Sequence, residues 1–407
     1  MNKFLVFIIC LLFNTVLAQD VFHIKSFQFL GNKEAIVPIY NLGENVSFSF
    51  DDLIGDEANY DYKVIHCNRN WEPSSLTITE FMEGMELNRI RTLRNSYNSL
   101  QSYTNYRSSF SESRLRLLKS GNYILEILNE NGEVVLKRKF IMSENSVTVA
   151  LEPRRLRDLS KAVSKQNIYA IIDSGSMLLH NPTETVKLHL MQNGQFFNVI
   201  KDIKPQYILG NQLRFQYDDE TSFWGGNEFL FFENNDLRMV TSTVAKVEMN
   251  DLYESFLYPD YPKYDKKYTF FPDVNGSFYP NIRNKPATTF PHEADYAWVH
   301  FSLNSSKLES DVFVGGMFND YQFTPENKMT YNEENGRYEL SLLLKQGYYN
   351  YQYYIVNNGR TDLENSINGN YLETENMYYG IVYYKGQLDR YDRVLGVGKI
   401  QAINITN

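Results

Sequence analysis

The sequence predicts an all-β chain built of tandem immunoglobulin-like β-sandwich domains, and three observations predict it. Polar and apolar residues alternate with period two from one end to the other, the mark of strands with one buried face. Asn-Gly pairs recur between such runs and supply the positive φ that tight hairpins need. Tyr and Phe number 31 and 27 among 407 residues, against 3 Trp, and both rings favour the half-buried pleated surface of a sheet.

The N-terminus stands apart from this pattern. Lys3 supplies a positive start, residues 4–17 an apolar run, and Val16-Leu17-Ala18 a small-residue cleavage site before Gln19. That is the layout of a secretory signal peptide over residues 1–18. An uncleaved anchor is the alternative, but the apolar run is short for a membrane span. Cys10 lies inside that run, too early for lipid attachment. Cleavage leaves Cys67 as the remaining cysteine of the 2, so the exported chain can form no internal disulfide. Cys67 ends a strand-like run, residues 62–67, where core packing is the expected role of a free thiol.

Strand patterns then follow in order. Residues 45–50 and 121–128 alternate within a first β-sandwich domain, 19–145, and Asn131-Gly132 marks a hairpin there. Residues 185–190 and 212–217 alternate within a second domain, 146–250, with a turn at Asn193-Gly194. Residues 251–291 hold Pro259, Pro262, Pro272, Pro280, Pro286 and Pro291, half of the chain's 12. Dense proline disfavours central strands, so this stretch reads as a linker or an edge hairpin. A C-terminal sandwich spans 292–400 around the alternation at 337–342, followed by a tail, 401–407. Helix is scarce. Residues 75–97 read as a long loop with a helical turn or two, because Gly84 interrupts the pattern, and the basic run 154–161 reads as a solvated connection.

Composition and motifs narrow the function. A net charge of −9 argues against a nucleic-acid binder, which needs clustered Lys and Arg. No nucleophile elbow, phosphate loop, zinc-protease helix or paired cysteines occur. The histidines are scattered singly. His292, with Glu293 and Asp295, forms the one His/carboxylate cluster and the best case for a hydrolase, but a metal site would need more ligands. We expect no catalytic residues, no cofactor and no metal.

The last domain carries Gly316-Met317-Phe318-Asn319-Asp320-Tyr321 and Gly347-Tyr348-Tyr349-Asn350-Tyr351. These resemble the early-set (E-set) sandwich of glycogen-binding modules. That resemblance implies an alternative function, an exported carbohydrate-binding protein, with Asn319 and Tyr321 at the sugar-stacking turn.

A second resemblance covers nearly the whole mature chain. It rests on His66-Cys67-Asn68-Arg69-Asn70-Trp71-Glu72-Pro73, Tyr103-Thr104-Asn105-Tyr106-Arg107 and Trp224-Gly225-Gly226-Asn227-Glu228-Phe229. It continues with Asp273-Val274-Asn275-Gly276, Glu293-Ala294-Asp295-Tyr296 and Leu344-Lys345-Gln346-Gly347-Tyr348. In this order and spacing the set resembles the plug protein family of the type IX secretion system. Asn105 and the pair Gln195-Phe196 depart from that family's pattern. The resemblance implies a periplasmic, non-enzymatic protein, peripheral to the outer membrane. As a monomer within the complex, it would bind the periplasmic opening of an outer-membrane β-barrel translocon and seal it when no cargo is present. It implies no nucleic acid and no membrane insertion. Tyr258, Tyr261, Tyr264 and Tyr348 are the candidate partner-binding anchors, since aromatic side chains dominate interface energetics.

Overall fold

The computed structural model describes residues 21–30, 37–286, 290–403 and 405. The expected signal peptide, residues 1–18, with its cleavage site at Ala18-Gln19, lies outside the described residues. Strands dominate and pair into two-layer sandwiches, each around its own apolar core.

In the first sandwich one sheet runs, in spatial order, Ile24–Leu30, Ser47–Asp52, Thr104–Ser109, Thr92–Asn95. The facing sheet runs Ile39–Asn41, Val134–Ser143, Gly121–Leu128, Asp61–Cys67, Asn88–Arg89. Alternation explains the inner faces: Phe48 and Phe50 meet Tyr62, Tyr123 and Phe140, all fully buried. Each such ring stabilises the fold by about 1.5–3 kcal/mol through the apolar area it removes from water. The Asn131-Gly132 hairpin forms as expected, with Gly132 at φ 78°. Cys67 is fully buried in its strand, and burial pushes its thiol up to about 12. Within 75–97 a single helical turn, Ile78–Phe81, is capped reciprocally by Thr77 and Glu80.

The second and third sandwiches are interleaved along the chain rather than consecutive. One sheet of the second holds Thr148–Arg154, Lys165–Asp173, Gln212–Phe215 and Tyr207–Leu209. Its other sheet holds Val199–Ile203 and Val186–Gln192, then Asn376–Tyr384 and Arg393–Ala402 from the far end of the chain. The third sandwich takes Leu230–Glu233 and Val244–Met249 from the stretch expected in the second. The boundaries 146–250 and 292–400 therefore cut across sheets. Residues 251–291 are not a linker either. Tyr253–Leu257 is an interior strand of the third sandwich, antiparallel to Val244–Met249 and parallel to Tyr296–Leu303. Phe278–Pro280 is an edge strand, the position proline tolerates.

The C-terminal return is possible because glycines let the backbones touch. A Cβ on Gly398 would lie 2.4 Å from the Val149 carbonyl oxygen, and one on Gly396 2.6 Å from that of Val147. Residues 376–384 are apolar on both faces for a matching reason. Tyr378, Val382 and Tyr384 enter the second core, while Tyr379, Ile381 and Tyr383 point out of it towards the first sandwich.

Candidate functional site

Each sandwich touches the other two, so the molecule closes into a triangle with three joints. Between the first and second, Val37 and Ile141 pack on Met191, Tyr379, Ile381 and Val394. Tyr383 donates to Asn122 Oδ1 at 2.7 Å. Arg393 forks onto Glu144 at 2.9 and 2.6 Å. The motif 66–73 forms a clasp over this joint. Arg69 reaches Asp392 at 3.1 Å and Asp202 at 2.6 Å, and Trp71, held at φ 69°, meets Phe196 edge-on at 5.2 Å. His189 lies behind Asp202, and burial pushes its imidazole down to about 4.

Between the first and third sandwiches the joint is polar and buried. Lys345 and Asp51 form a buried ion pair, joined by the hydroxyl of Tyr296, which donates to Asp51 at 2.7 Å. Tyr103 stacks edge-on against Tyr296 and donates to the Ala294 carbonyl at 2.7 Å. Asp295 accepts the backbone N–H groups of Leu100 and Gln101 at 2.6 and 3.0 Å. Between the second and third, Phe197 packs against Tyr321, Phe323 and Tyr354, and Gln195 donates to the Tyr354 hydroxyl at 3.1 Å. The motif segments quoted above thus lie at the joints and not on one exposed face. The departures follow suit, since Asn105 donates to Asp51 at 2.7 Å while Gln195 and Phe196 sit at the other two joints.

The candidate anchors separate into two groups. Tyr258, Tyr261 and Tyr264 are 55%, 63% and 69% exposed on a strap, residues 258–271, that ends in exposed Phe270 and Phe271. The strap is pinned along its length. Asp260 accepts the hydroxyls of Tyr351 and Tyr353 at 2.8 and 2.7 Å, and burial raises its carboxyl above the usual range. The Asp260 backbone pairs with Ser302 and Asn304, and the Lys263 N–H donates to the Ile367 carbonyl. Tyr348 is different: it is half-buried, stacked on Phe231 at 5.6 Å, so it is not a free anchor. Its neighbours Tyr349, Tyr351, Tyr353 and Tyr354 are core residues.

The sugar-stacking turn fails on geometry. Tyr321 is 6% exposed, packed between Phe229, Tyr354 and Phe197, and offers no ring face to a sugar. Asn319 spends its amide on Val314 and Gly316. The hydrolase cluster is likewise committed elsewhere, with Asp295 on backbone amides and Glu293 on Lys285. Among the described residues no group of three or more His, Cys, Asp or Glu could hold a metal ion. No helix among them is long and apolar enough to cross a membrane.

Sequence reasoning missed the strand Asn376–Tyr384 as a shared wall between two sandwiches. Its signal is present in the sequence, an unbroken run from Met377 to Tyr384 where a one-faced strand would alternate.

Comparison with known proteins bears on the whole architecture. A crystal structure of a hypothetical protein from Parabacteroides merdae ATCC 43184 superposes with a TM-score of 0.90 at 29% identity, covering 94% of this chain and 98% of that one. An alkylpurine DNA glycosylase AlkC of Pseudomonas fluorescens, bound to DNA containing an abasic site analog, matches at 14% identity over 29% of each chain, with a TM-score of 0.16. The partial N-terminal region of Enterococcal surface protein matches at 8% identity over 99% and 98%, with a TM-score of 0.19. Neither shares enough shape to carry an argument. No curated protein matches the chain. Residues 24–144, the first sandwich with its Arg69 and Trp71 clasp, match the family described as Type 9 secretion system plug protein 1st domain.

Proposed function

We propose that the protein is a non-enzymatic periplasmic stopper that binds the periplasmic opening of the type IX outer-membrane translocon and seals its pore when no cargo occupies it. The observation that carries this reading is the closed triangle of sandwiches. A stopper must resist deformation at a wide opening, and three mutually braced joints leave no single hinge to bend. The pinned aromatic strap supplies anchors whose ordering is already complete before binding, which lowers the entropic cost of docking. A standard interface would bury ~1,200–2,000 Å² in total.

The test has two arms. Tagged protein recovered from solubilised outer membranes should bring down a large β-barrel in its cargo-free form. Deletion of the gene should make the outer membrane permeable to medium-sized solutes while the translocon stays assembled. Unchanged permeability with an intact translocon sinks the sealing role.

A further inference from the structure

Where the three sandwiches meet they leave a half-open cavity of ≈ 590 Å³, within the size range of small-molecule sites, roughly 300–1,000 Å³. All three sandwiches line it. Phe29 and Tyr40 come from the first, Phe196 from the second, and Phe278 and Met317 from the third. Among the described residues its charged lining is Arg107, Arg138, Lys139 and Asp320. Lys139 is the telling group. Its ammonium lies over the rings of Trp71 and Phe196 at 5.0 and 5.5 Å, with no carboxylate in ion-pair contact among the described residues. Burial pulls its pKa below the ordinary lysine value, with Asp320 opposing that shift. A largely buried cation that rests on ring faces is costly unless an anion completes its shell.

We propose that this junction cavity binds a carboxylate carried on an apolar, aromatic-sized body, with Lys139 at the carboxylate and the aromatic walls around the body. The same chemistry is offered by a free amphipathic acid and by the C-terminus of an apolar peptide. Because all three sandwiches line the cavity, the ligand bridges them and tightens the triangle. The site does not depend on the stopper role and is read on the isolated protein.

The experiment titrates full-length mature protein with phenylbutyrate, with the uncharged alcohol of the same skeleton, and with an apolar tetrapeptide in free-acid and amidated forms. Calorimetry and Trp fluorescence report binding, because Trp71 stacks on Lys139. Saturable binding of phenylbutyrate or of the free-acid peptide is expected, together with at least about tenfold weaker binding of the matching uncharged form. Which of the two acids binds tells the small-molecule source from the polypeptide source. Lys139→Met, which removes a buried charge at nearly constant volume, should weaken the acid about tenfold while leaving the melting temperature unchanged or raised. Thermal melts of each variant keep misfolding separate from lost binding. No saturable binding of either acid at millimolar concentration overturns the proposal. So does equal binding of acid and uncharged forms, or binding that Lys139→Met leaves intact.

Discussion

Lys345 Nζ donates to Asp51 Oδ2 across 2.6 Å at the joint of the first and third sandwiches, with the two side chains 3% and 1% exposed. Neither is a neighbour in sequence, and neither sits in a cleft where charge would do chemistry. Asp51 is further satisfied by Tyr296 and Asn105, while the Lys345 ammonium lies 4.2 Å over the Tyr103 ring. Charges taken this far from water hold only while all partners are in place.

Lys345→Met should therefore be severely destabilising, by about 3–5 kcal/mol, because it strands a buried carboxylate. Asp51→Asn in the same background should recover much of that loss, since the uncharged amide still accepts from Tyr296. Equilibrium denaturation of both single variants and the double variant checks the cycle. Additive losses would show that the two groups are not coupled.

Gly276→Ala tests the packing of the third sandwich behind Tyr321, the ring that meets Phe197 of the second. Gly276 has φ +87°, and a Cβ there would lie 2.0 Å from the Tyr321 hydroxyl and 3.0 Å from the Phe229 ring. Tyr321 is itself held at φ 51°, so it cannot retreat cheaply. The expected loss is about 2–4 kcal/mol, combining left-handed strain with overpacking. Adding Tyr321→Phe should return the overpacking part and leave the backbone part, a split that thermal melts can read.

These joints explain how far the sequence could be read. Alternation placed residues 121–128 and 337–342 correctly in strands, because a strand's two faces are written locally. Partner choice is not local: Val186–Gln192 pairs with Asn376–Tyr384, and nothing at either segment names the other. The same limit hid the interleaving of the second and third sandwiches. Tyr321 misled for a related reason, since a turn that exposes an aromatic in a lone sandwich buries it where a second sandwich docks. Tyr258, Tyr261 and Tyr264 are exposed because a proline-interrupted segment does not bury rings in a sheet.

Stability should fall as pH rises through the neutral range, and Glu228 should account for part of the slope. Its carboxylate accepts from the Tyr268 hydroxyl and the Glu375 N–H, yet burial pushes it up to about 7, and Asp273 nearby to about 6. The folded state therefore holds a proton that the unfolded chain releases near the ordinary carboxylate value of 4.5. The contribution is fully present below that value and is lost as pH climbs through about 7. His189, pushed down to about 4, acts oppositely and favours the folded state as pH rises between its folded and unfolded values. Glu228→Gln should flatten the fall between those two Glu228 values and be the more stable protein above it. Chemical denaturation across the pH range, wild type against variant, isolates the one group. Parallel curves would show that Glu228 does not titrate there.

The strap gives the sharpest test of where the partner binds. Tyr261 and Tyr264 are 63% and 69% exposed, so Tyr261→Ala and Tyr264→Ala remove little buried area and should leave the melting temperature within experimental error. If the strap docks, each should weaken capture of the outer-membrane barrel by about 1–3 kcal/mol, the range of interface hot spots. Tyr348→Ala should do the reverse. Its ring is stacked on Phe231, so its loss costs stability by about 1–2 kcal/mol through lost ring packing, with barrel capture unaffected once the protein is folded. Co-precipitation measured alongside thermal melts separates the two behaviours. Full capture by the Tyr261/Tyr264 double variant would move the docking face off the strap and onto another side of the triangle.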